Sequence, residues 1–485
     1  MVGVPRSTGC QLCRKRRVKC DEVRPLCGNC TRYGAECPGY ERNLKFVSEK
    51  HHVRTKKKNQ STSPGGGSVW TVSSPATTAS SSHGSHSPAS SNHSIMVIEP
   101  APNRGQFITT MVETARVAIE ERDASGYFSW VRFGTVGSFA ILDGALCSLA
   151  MHLVGKEMKD SNMIARSRTI YGQSLHSLQQ ALNHPNRWRA SETLCTAILL
   201  CVYELFAGTN SSDSWLQHAR GIGILMEQRG AKAHREGWDA AMLLSFRGVL
   251  IMSDLFFPRG DECFLTRPEW REVMRDRGRH LLQAPDFSDE AIEAVDEFNN
   301  RLAEIPAVVK VGFPVMEAAK QGLPIDLDAA AKTCRLAAAC HIRMTEFWST
   351  YGHLFPEPFE SPSLDPLSLY PVVLRYEKRW ASTLQMGYYA TMCLLQEFMQ
   401  KLGWTQPFAI PQKEYASIIL RSVEDISQGP LGPYRIGYAL RIAYELADAE
   451  AQQWIRALLD RFKSTYAATD KQSYPEMRTD NEGYR

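Results

Sequence analysis

The chain has 485 residues, enough for two or three domains, and carries a net charge of only +4. That balance is unevenly spread: residues 1–60 hold fifteen Lys/Arg against five Asp/Glu, a net of +10, and the remainder is at −6. A basic head on a mildly acidic body suits a protein whose head alone meets nucleic acid, and no apolar run approaches the ~18 residues needed to span a bilayer.

Residues 1–9 are expected to be disordered, and MVGVPRSTG lacks the apolar core of a signal peptide. Residues 10–37 hold six cysteines, Cys10, Cys13, Cys20, Cys27, Cys30 and Cys37, spaced C-x2-C-x6-C-x6-C-x2-C-x6-C. The unit C-x2-C-x6-C thus occurs twice. Structural zinc takes four ligands in a tetrahedron and favours thiolate. One ion would leave two cysteines over. Two ions need eight ligand positions, which six sulfurs fill only if two of them bridge. The internal repeat assigns the bridges to Cys10 and Cys27. One zinc then takes Cys10, Cys13, Cys20 and Cys27, and the other Cys10, Cys27, Cys30 and Cys37. With almost no apolar residues in the stretch, metal must supply most of its folding free energy. The rival reading is a disulfide framework. The other seven cysteines are scattered without paired spacing, as in a reducing compartment, and favour metal.

The first half continues as RKRRVK (Arg14, Lys15, Arg16, Arg17, Lys19), whereas the second has Arg32 as its only base between Cys30 and Cys37. Unlike charge implies unlike work. The first half suits a groove lined by phosphates, where Arg or Lys reaches the O6 and N7 acceptors of guanine while its neighbours hold phosphates. The second half reads as scaffold. A nuclear-import signal or a solvated basic face would explain RKRRVK alone, but neither would need the metal spacing.

These residues resemble the fungal Zn2Cys6 binuclear-cluster DNA-binding domain. The spacing, the basic run before the third cysteine and the loop Arg24-Pro25-Leu26-Cys27 all fit. The resemblance implies two Zn2+ per chain, a nuclear location and sequence-specific transcription regulation at CGG-like triplets in double-stranded DNA. The family's base-reading lysine lies three residues before the third cysteine, where this chain has Arg17; Arg16 stands at the assisting position. Pro25 matches the proline that turns the chain between the halves. Activation is implied over repression, with the transcription machinery as partner, and a metabolic or secondary-metabolite gene set as target. A zinc-held adaptor for protein or RNA, and a repressor, are the alternative readings.

Residues 38–60 form a basic linker ending in Lys56-Lys57-Lys58. Leu44 and Val47 begin an apolar seam that His51 and Arg54 break, so no sustained heptad specifies a coiled coil. A homodimer remains a candidate on family grounds. Residues 61–94 contain thirteen Ser and no charged side chain and are expected to be a disordered linker, reaching roughly 30–35 Å as a flexible coil.

From about 105 to 465 the chain reads as an all-helical domain, with 3.6-residue apolar periodicity throughout. The clearest segment begins at Ser191, a candidate N-cap, and stops at Gly208. Leu194 to Phe206 is apolar nearly all round, which predicts a helix at the centre of a bundle. The next helix starts near Asp213 and ends at Gly230. Others are expected around 164–183, 238–254, 326–350, 372–401, 412–426 and 434–462. Breaks fall at 356–371, 405–411 and Gly429–Pro433, and a disordered tail covers 466–485. This body is similar to the fungal-specific transcription factor regulatory domain, most clearly over 140–260. That resemblance adds a small-molecule effector as a candidate partner.

No catalytic residues emerge. There is no G-x-S-x-G, phosphate loop or H-E-x-x-H. Gly221-Ile222-Gly223 lies within a predicted helix and lacks the third glycine of a dinucleotide fingerprint. His218, Cys195, Cys201, Trp380, Tyr388 and Tyr389 read as packing residues. The protein is therefore expected not to be an enzyme.

Overall fold

The computed structural model describes residues 12–13, 16, 18, 20–21, 27–34 and 37 of the head, then 137, 139–207, 214–256, 262–275, 288–429, 431–463, 466 and 469. The linkers expected at 38–60 and 61–94 lie outside the described residues, as does most of 105–139. The chain divides into two compact units, Met1–His93 and Ser94–Arg485. In the first, a short helix, Gly28–Arg32 (α1), follows Cys27.

The second unit begins with Ala140–Glu157 (α2) and Ser161–Leu182 (α3). Between them Lys159 adopts φ 54°, and the Asp160 carboxylate accepts from the N–H groups of Asn162 and Met163 at 2.9 and 3.1 Å. That cap satisfies donors the first turn of a helix leaves free. Then come Ser191–Ala207 (α4), Ser214–Arg229 (α5), Gly237–Phe256 (α6) and the short Pro268–Met274 (α7). Helix α4 sits at the centre of this half, packed on α2 and α5, with every side chain from Thr193 to Phe206 buried. Ser191 is its first residue, but the hydroxyl donates to Asp239 of α6 at 2.6 Å. The one acid inside the buried run, Glu204, accepts from the Tyr171 hydroxyl of α3. Tyr171 stacks on Tyr203 with ring centroids 4.4 Å apart, so the polar pair sits inside an aromatic sleeve.

The second half comprises Asp289–Leu302 (α8), Ile305–Lys320 (α9), Leu327–Tyr351 (α10), Arg379–Lys401 (α11), Gln412–Ile426 (α12), Gly432–Leu446 (α13) and Ala449–Lys463 (α14). Helix α11 is its axis, packed on α10, α12 and α13, with Tyr388 and Tyr389 buried in it. The halves join where α9 packs on α6 and where Arg247 of α6 pairs with Asp296 of α8 at 2.6 Å. One apolar core runs through both.

Three expectations need correction. The helix placed at 372–401 is two elements, because Val372–Arg375 (β2) pairs antiparallel with Phe359–Pro362 (β1), Phe359 opposite Arg375. The run Val-Val-Leu-Arg is β-branched at its start and abuts a helical pattern without a glycine between them. The helix placed at 434–462 breaks at Ala447, where the backbone is extended and Asp448 caps α14, accepting from Ala451 N–H at 2.9 Å. The stretch expected to be disordered from 466 opens on a core residue: Tyr466 is buried, its ring 5.3 Å from that of Phe206, and the residues from 470 on lie outside the described residues.

Candidate metal centre and nucleic-acid interface

Helix α1 exists because its first turn is capped twice. Cys27 stands at the N-cap, and its sulfur accepts from the Cys30 N–H at 3.3 Å. The Asp21 carboxylate accepts from Gly28 N–H at 3.2 Å and Asn29 N–H at 3.1 Å. A side chain at Gly28 would put its Cβ 2.6 Å from the Asp21 Oδ2, so the carboxylate would have to shift to make room for it. Gly34, at φ +72°, then takes a backbone conformation that disfavours other residues.

The sulfurs fall into two groups. Those of Cys13, Cys20 and Cys27 lie within 4.8 Å of one another, and so do those of Cys27, Cys30 and Cys37. Cys27 belongs to both, as a bridging ligand must. Cys10, the second expected bridge, lies outside the described residues. The Cys13 Sγ is 3.5 Å from the Cys27 Sγ and 4.0 Å from the Cys30 Sγ. Neither separation is that of a disulfide, and the 3.5 Å between Cys13 and Cys27, two ligands of one ion, is close to the roughly 3.8 Å that tetrahedral zinc with 2.3 Å bonds imposes on neighbouring sulfurs. The donor set therefore fits zinc: three sulfurs are gathered for each ion, with one position each left for a shared sixth cysteine. Apart from four buried cysteines, only Leu12 and Cys20 among the described residues pack into this cluster, both half-buried.

Of the five basic residues predicted to meet DNA, Arg16 is described; Arg14, Lys15, Arg17 and Lys19 lie outside the described residues. The Arg16 guanidinium carbon sits 3.3 Å from the centroid of the Tyr33 ring. Tyr33 and Asp21 are the residues of this site that the sequence reading passes over. An acid directly after the third cysteine, seven residues before Gly28, was the only signal for the clamp.

In the body, Gly221 and Gly223 lie inside α5 rather than after a strand. Cys195 and Cys201 are buried, and desolvation pushes both thiols well above their usual range. His218 is half-buried and pushed down by desolvation. A cavity of about 210 Å³ lies between the hairpin loop, α12 and α14. Its charged groups are engaged: Asp365 pairs with Arg461, and Glu424 with Arg375, each at 2.6 Å.

Residues 8–45 match the Fungal Zn(2)-Cys(6) binuclear cluster domain, and residues 90–250 match the Fungal specific transcription factor domain. An uncharacterised protein of Emericella nidulans, AN5342, is 32% identical over 168 residues, which are 35% of this chain and 35% of that protein. Over the cluster alone, the transcriptional regulatory protein moc3 of Schizosaccharomyces pombe is 61% identical over 33 residues, 7% of this chain and 6% of its own. The Zn(2)-C6 fungal-type transcription factor afumD of Aspergillus fumigatus is 67% identical over 30 residues, 6% of this chain and 8% of its own. The chain thus spans about a third of AN5342 and under a tenth of the other two. No solved structure matches it. With paired sulfur groups sharing Cys27 at one end and a mostly helical domain further along the sequence, this chain carries a fungal Zn2Cys6 binuclear cluster domain, which binds two zinc ions, and a fungal specific transcription factor domain.

Proposed function

We propose that this protein is a nuclear, sequence-specific DNA-binding regulator of transcription that reads CGG-like triplets in the major groove. The observation that carries the reading is the junction of two features. The sulfur groups share Cys27, and the span between Cys13 and Cys20 holds five bases in six residues. Zinc would draw its two halves together through Cys10, Cys13, Cys20, Cys27, Cys30 and Cys37, giving a coreless segment a fixed shape. Arg17, with Arg16 beside it, would aim at guanine edges; Arg14, Lys15 and Lys19 would hold phosphates. The helical body would take up a signal, from a small-molecule effector or a protein, and pass it to the transcription machinery as an activator of a metabolic gene set. The body's net negative charge supports this division, since it leaves phosphate contact to the head.

Binding to duplexes with intact or shuffled triplets tests the reading. Arg17→Ala is expected to cost about 1–3 kcal/mol on the intact triplet and to relax specificity there. Lys19→Ala is expected to weaken all sequences alike. Equal losses on intact and shuffled DNA for Arg17→Ala would refute its role as base reader.

A further inference from the structure

The two halves of the head meet through residues that are equivalent in the internal repeat. Cys13 and Cys30 each close a C-x2-C pair, and their sulfurs lie 4.0 Å apart. Arg16 and Tyr33 each stand three residues further on. Their backbones are held alike: Arg16 N–H donates to Leu12 O at 2.9 Å, and Tyr33 N–H to Asn29 O at 3.2 Å. Leu12 and Asn29 are themselves equivalent positions. The repeat therefore brings position 16 against position 33, and the sequence places a cation at one and an aromatic ring at the other.

We infer that Tyr33 is a positioning residue for DNA recognition, a shelf on which the Arg16 guanidinium is laid before DNA arrives. At 3.3 Å from the ring centroid, the guanidinium must lie flat on the ring, because an N–H pointed at the ring would place the nitrogen inside it. A flat stack uses the face of the guanidinium and leaves its in-plane donors free for a base edge or a phosphate. Arginine held this way has already lost much of its side-chain freedom, so less is lost on binding. Tyr33 is 58% exposed, so the ring is not needed to fill a core, and it comes from the half that lacks the basic run. The less basic half thus takes part in recognition by aiming the other half's arginine. The inference rests on the DNA-binding reading above.

The test uses the full chain, zinc-loaded, with a fluorescent duplex bearing CGG triplets and a shuffled control. Tyr33→Leu, which keeps bulk but removes the π face, is expected to weaken binding about two- to fivefold. Tyr33→Phe and Tyr33→Trp are expected to bind as the wild type does. Arg16→Ala combined with Tyr33→Leu should be no weaker than Arg16→Ala alone. The salt dependence of binding should be unchanged in Tyr33→Leu, since no cation is removed. Wild-type affinity in Tyr33→Leu, an equal loss in the Arg16→Ala background, or failure of Tyr33→Phe to restore binding would each overturn the inference. Loss of zinc from Tyr33→Leu would reassign Tyr33 to holding the metal site and overturn it as well. A wild-type chain that binds neither duplex would instead take down the DNA-binding reading, and this inference with it.

Discussion

Around Cys27, four buried cysteines and two half-buried neighbours make up the interior among the described residues. Around α4, fourteen consecutive side chains are buried within a core that runs from α2 to α14. The two regions solve the same problem with different physics. Burying apolar surface spreads stability over dozens of small contributions, none of them indispensable. A chain of under thirty residues has too little surface to bury, so one kind of bond must supply nearly all of its stability. The first design degrades gradually under substitution; the second fails all at once when its ligand is withdrawn.

Chelation should therefore separate the regions most sharply. Removing zinc costs the head about 10–16 kcal/mol, the scale of zinc-finger peptides near neutral pH, and should expose Arg14 to Arg32 to trypsin. The body should keep its helical circular dichroism and its tryptophan emission, since the first tryptophan in the chain is Trp70. A body that melts with the head under chelator would break the comparison.

The reciprocal experiment strikes the core. Leu199 is fully buried midway along α4, and Leu199→Ala should cost about 2–5 kcal/mol in urea unfolding followed by tryptophan emission. Zinc content should not change.

A smaller effect sharpens the contrast through pH. Burial, then the nearby Lys156 charge, pushes His152 down to about 4; burial, then Arg229, does the same to His234. An unfolded histidine titrates near 6.5. Between those values the unfolded body binds more protons than the folded one. The stability is complete above about pH 6.5 and falls as pH drops toward 4, by on the order of 3 kcal/mol per histidine at most. Urea midpoints of the body from pH 7.5 to 5 should show the decline, and His152→Leu should flatten it. A midpoint that does not move would contradict these burial effects.

What the sequence made legible follows the same division. Metal ligation in the head is written in short spacings, so the repeat alone pointed to Cys27 as the sulfur that lies in both groups. The Arg16–Tyr33 stack could not, because it depends on which equivalent positions face each other once the halves are drawn together. In the body, α4, α10 and α12 announce themselves by periodicity, and Gly230 follows the end of α5. Helix α2 escapes because it is buried on most faces and shows no polar stripe. Strand β2 escapes because four residues are too few to separate alternation from the start of α11. The break between α13 and α14 was marked by Asp448, a good capping residue, but the apolar pattern ran on across it.

Counting the metal tests the central claim most directly. Elemental analysis of the purified full chain, with protein measured by amino-acid analysis, should return two zinc ions per chain, and Cys27→Ser should lose both together. One ion or none in the wild type, or a Cys27→Ser variant that keeps a full complement, would contradict a head built on two metal ions that share a sulfur.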